Sequence, residues 1–143
     1  MRKAIGIWQA MLMILLVSGM LIVTLKYASI SAKHTADSYI REQAELYLAS
    51  TVEKTLYGIS VYDRSGGSCF KRLDDTRTKR GVTYNAAIEV ERYYMYNETC
   101  SNVAVTPITA SESHGYAMLR IEVNATIDGE VKIRILRRSL QRP

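Results

Sequence analysis

The feature that most constrains this chain is an uncharged apolar segment near its start, Ala4–Leu25. As a helix, these residues would span about 33 Å at 1.5 Å per residue, enough to cross the hydrocarbon core of a bilayer. The segment is longer than the apolar region of a secretory signal, although Ile30-Ser31-Ala32 could serve a signal peptidase weakly. It is also too uniformly apolar for the core helix of a soluble protein. We therefore predict one transmembrane helix, with membrane lipid as a partner.

The charges that flank this segment orient it only weakly. Arg2 and Lys3 precede it, and Lys26, Lys33 and Arg41 follow it, so that the cations are nearly balanced. The very short N-terminal tail and the two cysteines of the C-terminal part favour a cytoplasmic N-terminus. The opposite orientation would place the cysteines in a reducing cytosol.

One polar residue, Gln9, lies in the first turns of the apolar segment. An amide is costly to leave without a partner in hydrocarbon, so Gln9 could pair within an assembly of such helices. The alternative is an interfacial position at the membrane edge, which Trp8 next to it also favours.

The next segment, Ser29–Gly58, contains no proline and no glycine before Gly58, and its apolar residues recur at spacings of three and four. This periodicity predicts that the helix continues out of the membrane with one apolar stripe facing a core. The stripe consists of Ile40, Ala44, Tyr47, Leu48, Val52, Leu56 and Ile59.

Beyond Gly58 the composition predicts a β-rich head. Ala87–Tyr96 alternates like a half-buried strand, with Ile88, Val90, Arg92, Tyr94 and Tyr96 on one face. The polar segment Asp74–Gly81 is predicted to be an exposed loop. The segment Asn97–Ser113 is predicted to be a loop with a brief strand at Asn102–Thr106.

The clearest local signal in the head is Asp128-Gly129, which separates Tyr116–Ile127 from Glu130–Leu136. An Asp-Gly pair between two strand-like runs predicts a type I′ hairpin. In the second arm, Val131, Ile133 and Ile135 are expected to face the core. We therefore predict an α+β fold in which the long N-terminal helix packs on a small antiparallel sheet of three or four strands.

The cysteines, Cys69 and Cys100, both lie in the head. A cysteine pair in an exported domain predicts a disulfide, which a head of only about 85 residues would need more than a larger domain does. The alternative is a pair of buried thiols in a reducing compartment. Their separation does not match the paired-ligand spacing of zinc sites, so no metal or other cofactor is predicted.

The first residues carry a resemblance to a known family. Arg2-Lys3-Ala4, followed by Ile5 and the apolar segment, resembles the processing site of type IV pilins and pseudopilins. By this resemblance Ala4 would precede the cleavage, Ile5 would be the new N-terminus, and Gln9 would stand where the family carries a glutamate. The chain departs from the family in having Ala4 for glycine, Ile5 for phenylalanine or methionine, and neutral Gln9; the proline common near the end of the family's apolar segment is also absent.

The resemblance implies a function in assembly. Some minor members of the family lack the glutamate, so the chain would be a minor subunit of a type IV pilus, a type II secretion system or a DNA-uptake machine. Its partners would be a prepilin peptidase and other pilin-like subunits. It would lie in a bacterial inner membrane as a single-pass protein, with its head in the periplasm or in a surface filament. The implied organisation is a leader at residues 1–4, a transmembrane helix at 5–25, an amphipathic extension at 26–58 and a head at 59–143.

Other functional classes remain as alternatives. A single-pass anchor whose head binds a ligand would share the same helix without being processed or polymerised. Basic residues near the C-terminus, Arg134, Arg137 and Arg138 among them, could contact an anion or nucleic acid, although solvated charges explain them more simply. Ser111-Glu112-Ser113-His114 lacks an identifiable orienting acid, so no catalytic residue and no enzymatic activity are predicted.

Overall fold

The computed structural model describes the backbone of residues 2–109 and 115–143, and the side chains of these residues from Gly6 onward. In this part of the chain one helix is followed by five strands, which confirms the predicted α+β class. The elements are α1 (Arg2–Val61), β1 (Arg72–Lys79), β2 (Val82–Met95), β3 (Ala104–Pro107), β4 (Tyr116–Ile127) and β5 (Glu130–Gln141).

The chain divides into two compact units, Met1–Tyr39 and Ile40–Pro143. The described part of the first unit is entirely helical. The second unit, which we call the head, contains the last turns of α1 and the whole sheet.

Within the head, α1 lays its predicted apolar stripe on the sheet. Ile40, Ala44, Tyr47, Leu48 and Ile59 are buried, and Val52 and Leu56 are partly buried. Two threonines that the apolar periodicity does not include, Thr51 and Thr55, are buried as well. Their hydroxyls donate to the carbonyl oxygens of Tyr47 and Thr51 at 2.8 Å, so that both polar groups enter the core with a partner.

The helix passes through Gly58 and ends at Val61, one turn beyond the predicted end. A Cβ atom at Gly58 would lie 3.1 Å from Cε2 of Phe70, so the missing side chain makes room for the phenylalanine ring. This glycine is therefore a packing position inside the helix, and its presence does not end the helix.

The sheet has the order β1-β2-β4-β5 with antiparallel neighbours. The short strand β3 pairs in parallel with the end of β2, at Arg92–Met95. Because β4 occupies one side of β2, β1 and β3 share its other side, one after the other. The predicted brief strand near Asn102–Thr106 is thus present, and the sheet has five strands where three or four were expected.

The predicted face assignment of β2 is correct only as far as Val90. Ile88 and Val90 are buried, but the next buried residues are Tyr93 and Met95, whereas Arg92 is exposed. Val90 lies opposite Leu119 of β4, and the next opposed residues are Arg92 and Met118. Glu91 is therefore the extra residue of a β-bulge. A bulge changes which residues face the core, and strict alternation could not reveal it.

The segment Asp74–Gly81, predicted as a loop, forms most of β1 and its turn. β1 pairs with β2 from Arg72, opposite Glu89, to Lys79, opposite Val82. The connection Arg80-Gly81 has φ values of 52° and 78°, as a two-residue type I′ turn requires. The prediction was wrong because β1 is an edge strand that is largely exposed, and its composition is therefore polar.

The hairpin at Asp128-Gly129 is present, with φ values of 50° and 83°. One of its predicted core residues, Val131, is instead 56% exposed. Ile133 lies opposite Ala125 of β4, whereas Val131 lies opposite the next residue, Thr126. Lys132 is therefore an extra residue in β5. This irregularity turns Val131 to the face opposite the core, whereas Ile133 and Ile135 stay on the core side and are partly buried.

Candidate functional site

The first candidate site is the apolar part of α1. An 18-residue stretch of this helix has a mean hydropathy of 2.1, and none of the stretch is buried. The helix is long and apolar enough to cross a membrane. From Gly6 to Leu25 every side chain is exposed, including Trp8 at 69% and Leu15 at 69%. A surface this apolar needs lipid or other helices around it.

The polar side chains of this segment differ in their hydrogen bonding. Ser18 donates to the carbonyl oxygen of Ile14 at 2.7 Å, and Thr24 donates to that of Leu21 at 2.9 Å. The side chain of Gln9 makes no hydrogen bond to any of the described residues. Its amide therefore has both donor and acceptor capacity available for a group outside the chain.

The proposed processing residues fall at the edge of what the structure describes. Ala4 and Ile5 lie in the backbone of α1, but their side chains lie outside the described residues. Ser111-Glu112-Ser113-His114 also lies outside them. Among the side chains that are described, no group of three or more His, Cys, Asp or Glu residues could hold a metal ion.

Asp75 connects the helix to β1 in the head. Its carboxylate accepts a hydrogen bond from the Tyr47 hydroxyl at 3.0 Å and one from the Lys54 ammonium at 2.8 Å. The Lys54 contact, together with the Tyr47 hydrogen bond, holds the pKa of Asp75 below its usual range. Burial of Tyr47, with the carboxylate beside it, raises the pKa of that phenol to about 12.

The variant Asp75→Asn is expected to lower the free energy of unfolding near pH 7 by about 1 kcal/mol, a modest figure because Lys54 is 56% exposed and solvent screens the pair. Since the folded-state pKa of Asp75 lies below the unfolded value of about 3.9, its carboxylate stabilises the fold above about pH 4. That contribution disappears as the pH falls through the folded-state pKa. Urea unfolding of the full chain in detergent, followed by tyrosine near-ultraviolet circular dichroism, measures the effect.

Asp74→Asn is the matched control, because Asp74 bonds the neighbouring Arg72 on the exposed surface of the same strand. Asp74→Asn should destabilise the head less than Asp75→Asn near pH 7. A difference between wild type and Asp75→Asn that stays constant down to about pH 3 would contradict the assigned role of the Asp75 carboxylate.

The disulfide lies where the chain leaves the helix and enters the sheet. Cys69 and Cys100 are joined, with their Cα atoms 5.6 Å apart. Asn102 adds a second connection: its amide donates to the Cys69 carbonyl at 2.7 Å and its carbonyl accepts from the Cys69 amide at 2.9 Å. The Tyr93 hydroxyl donates to the carbonyl oxygen of Phe70 at 2.6 Å, so that the segment after the disulfide is also tied to β2.

The three arginines predicted as anion contacts do not form one group. Arg134 pairs with Glu122 at 2.9 Å and Arg138 pairs with Glu91 at 3.0 Å, both on the face of the sheet opposite the core. Arg137 lies opposite buried Ile121 in the register of β4 and β5, so its side chain leaves the strand on the core side of the sheet. It has no ion pair to a carboxylate of the described residues.

The structure places a different arginine beside two of these. Arg120, Arg137 and Arg138 line an open cleft of about 310 Å³ together with Leu136 and Ile121. Arg120 lies opposite Arg138 in the register of β4 and β5. The sequence alone could not show that these two arginines are neighbours, because only the pairing register of the strands brings them together.

No protein-family model matches this chain, and no curated protein and no solved structure is significantly similar to it.

Proposed function

We propose that this chain is a minor pilin-like or pseudopilin subunit of a type IV pilus, a type II secretion system or a DNA-uptake assembly. The observation that supports this most is the helix α1. One helix contains both the uncharged apolar segment and the stripe that packs on the sheet of the head. A membrane anchor that only tethers a binding domain needs no such continuity, because a flexible linker would serve.

In the proposed mechanism the helix works through assembly. Ile5–Leu25 is held in a bacterial inner membrane until the subunit is recruited, and the apolar side chains of this segment then pack against the helices of other subunits. Gln9 supplies the polar contact in this packing, since an amide in an apolar environment gains most by pairing with a group on a neighbouring helix. The head, in the periplasm or on a surface filament, makes the contacts outside the bilayer.

A permanently anchored, unprocessed binding module is the second candidate. The observation that favours it is Gln9 itself, which is neutral at the position where the resembling family carries glutamate. In that case the helix stays in lipid, and Gln9 lies at the membrane interface beside Trp8.

The test is the intact mass of the full chain extracted from its membrane, combined with identification of the proteins that co-purify with it. We expect the loss of Met1–Ala4, methylation of the amine of Ile5, and co-purification of other helix-bearing subunits. The variant Gln9→Leu should be processed and inserted in the same way but should lose most of the co-purifying subunits, about a tenfold reduction if one hydrogen bond between helices is removed.

Each of the other outcomes has a defined meaning. A mass that retains Met1–Ala4 would favour the unprocessed anchor, and cleavage near Ala32 would make the head a secreted domain. If the Gln9→Leu variant recovers the other subunits as well as wild type does, Gln9 has no role in assembly. Ser18→Leu is a suitable control, because the Ser18 hydroxyl already has a partner in its own helix.

A further inference from the structure

The strand β5 forms one complete edge of the sheet. It pairs with β4 along its whole length, from Gln141 opposite Ala117 to Glu130 opposite Ile127. On its other side, no strand of the described residues pairs with it. The opposite edge of the sheet is divided between β1 and β3, so β5 is the longest stretch of backbone whose outward N–H and C=O groups are available to another strand.

The side chains of β5 are basic and apolar. The strand carries four cations, Lys132, Arg134, Arg137 and Arg138, and one carboxylate, Glu130, a net charge of +3. Ion pairs join Lys132 to Glu130, Arg134 to Glu122 and Arg138 to Glu91, whereas Arg137 has no such pair among the described residues. Three large apolar side chains, Val131, Leu136 and Leu140, are 56%, 58% and 52% exposed. A strand with this composition offers both charge and apolar contact to a partner.

The charge decides which partner fits. A second copy of β5 would bring a second excess of cations to this edge, where Arg120 and Arg137 already have no ion pair to a carboxylate of the described residues. β1 of a second copy also carries a net positive charge, since Arg72, Arg77 and Lys79 outnumber Asp74 and Asp75. Pairing of β5 with β5 or with β1 of a second copy therefore brings like net charges together, whereas an acidic strand would be complementary to β5.

We propose that β5 accepts an extended acidic segment of a different protein as an additional strand of the sheet. Backbone hydrogen bonds along β5 provide the affinity, and the side chains select the sequence. The cleft lined by Arg120, Arg137 and Arg138 receives a carboxylate of the incoming segment, because guanidinium groups bind carboxylates in a planar, bidentate geometry. Leu136, in the wall of the same cleft, contacts an apolar neighbour of that carboxylate. This proposal concerns the β5 edge alone and does not depend on whether α1 is processed.

The test uses the full chain in detergent micelles and three peptides as long as β5, each alternating valine with glutamate and carrying a fluorophore. The first peptide is unmodified, the second is N-methylated on its valines, and the third is N-methylated on every residue. Methylation on alternate residues blocks one edge of a strand and leaves the other free. We expect the first two peptides to bind, measured by fluorescence anisotropy, and the third to bind at least about tenfold more weakly.

Charge variants locate the site. Arg137→Glu should weaken binding of the unmodified peptide by about tenfold or more, because it replaces a guanidinium in the cleft by a carboxylate. Lys79→Glu makes the same change of net charge on β1, at the other edge of the sheet, and should alter binding less than about twofold. A peptide alternating valine with lysine should not bind.

Two results would overturn the proposal. Equal binding of all three peptides would mean that the basic surface attracts anions without forming a strand. No binding of the unmodified peptide would mean that the cations of β5 serve only to prevent edge-to-edge association, a common use of charged residues on edge strands. Because neither result involves the N-terminus, both are independent of the processing test.

Discussion

Replacing Cys69 and Cys100 together by serine is expected to lower the free energy of unfolding of the head by about 3–4 kcal/mol. The disulfide closes a loop with a sequence separation of 31, and in the chain-entropy account this restricts the unfolded chain. A loss of this size is a large share of the stability of a small domain, which is typically about 5–15 kcal/mol. Urea unfolding of wild type and variant in the same detergent, followed by tyrosine circular dichroism, measures it.

Two controls separate the covalent link from the local contacts. Asn102→Ala keeps the disulfide and removes the two hydrogen bonds to the Cys69 backbone, so it should cost less than the double cysteine variant. Reduction of the wild-type protein should reproduce most of the loss seen with the double variant. Identical unfolding midpoints for the oxidised and reduced wild-type protein would refute the stabilising role of the Cys69–Cys100 link.

The parts of the fold that could be predicted are those that local sequence determines. The apolar stripe from Ile40 to Ile59 has helical periodicity, and the structure buries or partly buries all of it. The hairpin at Asp128-Gly129 could be predicted because few residues other than glycine, asparagine and aspartate adopt two consecutive positive φ values. In both cases the local preference and the final structure agree.

The errors lie where pairing between strands overrides the local pattern. β1 is polar because it is an edge strand, and its identity as a strand depends on its register with β2. The bulge at Glu91 shifts the alternation of β2, so that the next buried residue after Val90 is Tyr93. The irregularity at Lys132 likewise turns Val131 outward. Nothing within five or six residues of these positions distinguishes them from regular strands, since an inserted residue is defined only by the partner strand.

The candidate sites show the same division. The apolar segment and the unusual position of Gln9 are visible in the sequence, because a charge-free run of that length has few uses. The arginine cleft is not visible, since Arg120 and Arg138 become neighbours only through the register of β4 with β5. The ion pairs that occupy Arg134 and Arg138 likewise join different strands.

The variant Ala44→Asp is expected to have the largest effect on the head, a loss of about 3–5 kcal/mol near pH 7, because it buries a carboxylate with no counter-charge provided. Ala44 is 0% exposed in the stripe of α1 that packs on the sheet. Burial should raise the pKa of the introduced carboxyl in the folded state above its unfolded value of about 3.9. The ionisation penalty is therefore fully present above the raised folded-state pKa, shrinks as the pH falls from there to about pH 4, and is absent below it, where the carboxyl is neutral in both states.

Leu46→Asp is the matched control, since Leu46 lies on the same turns of α1 but is 65% exposed. Both variants introduce the same charge and the same helix propensity, so the difference between them measures burial against the sheet. We expect the Leu46→Asp variant to unfold within about 0.5 kcal/mol of wild type, as surface substitutions usually do. Equal and small losses for both variants would mean that α1 does not pack on the sheet in the membrane-bound protein. The proposal of a subunit with one continuous helix would then lose its main support, and a head on a flexible tether would be the better description.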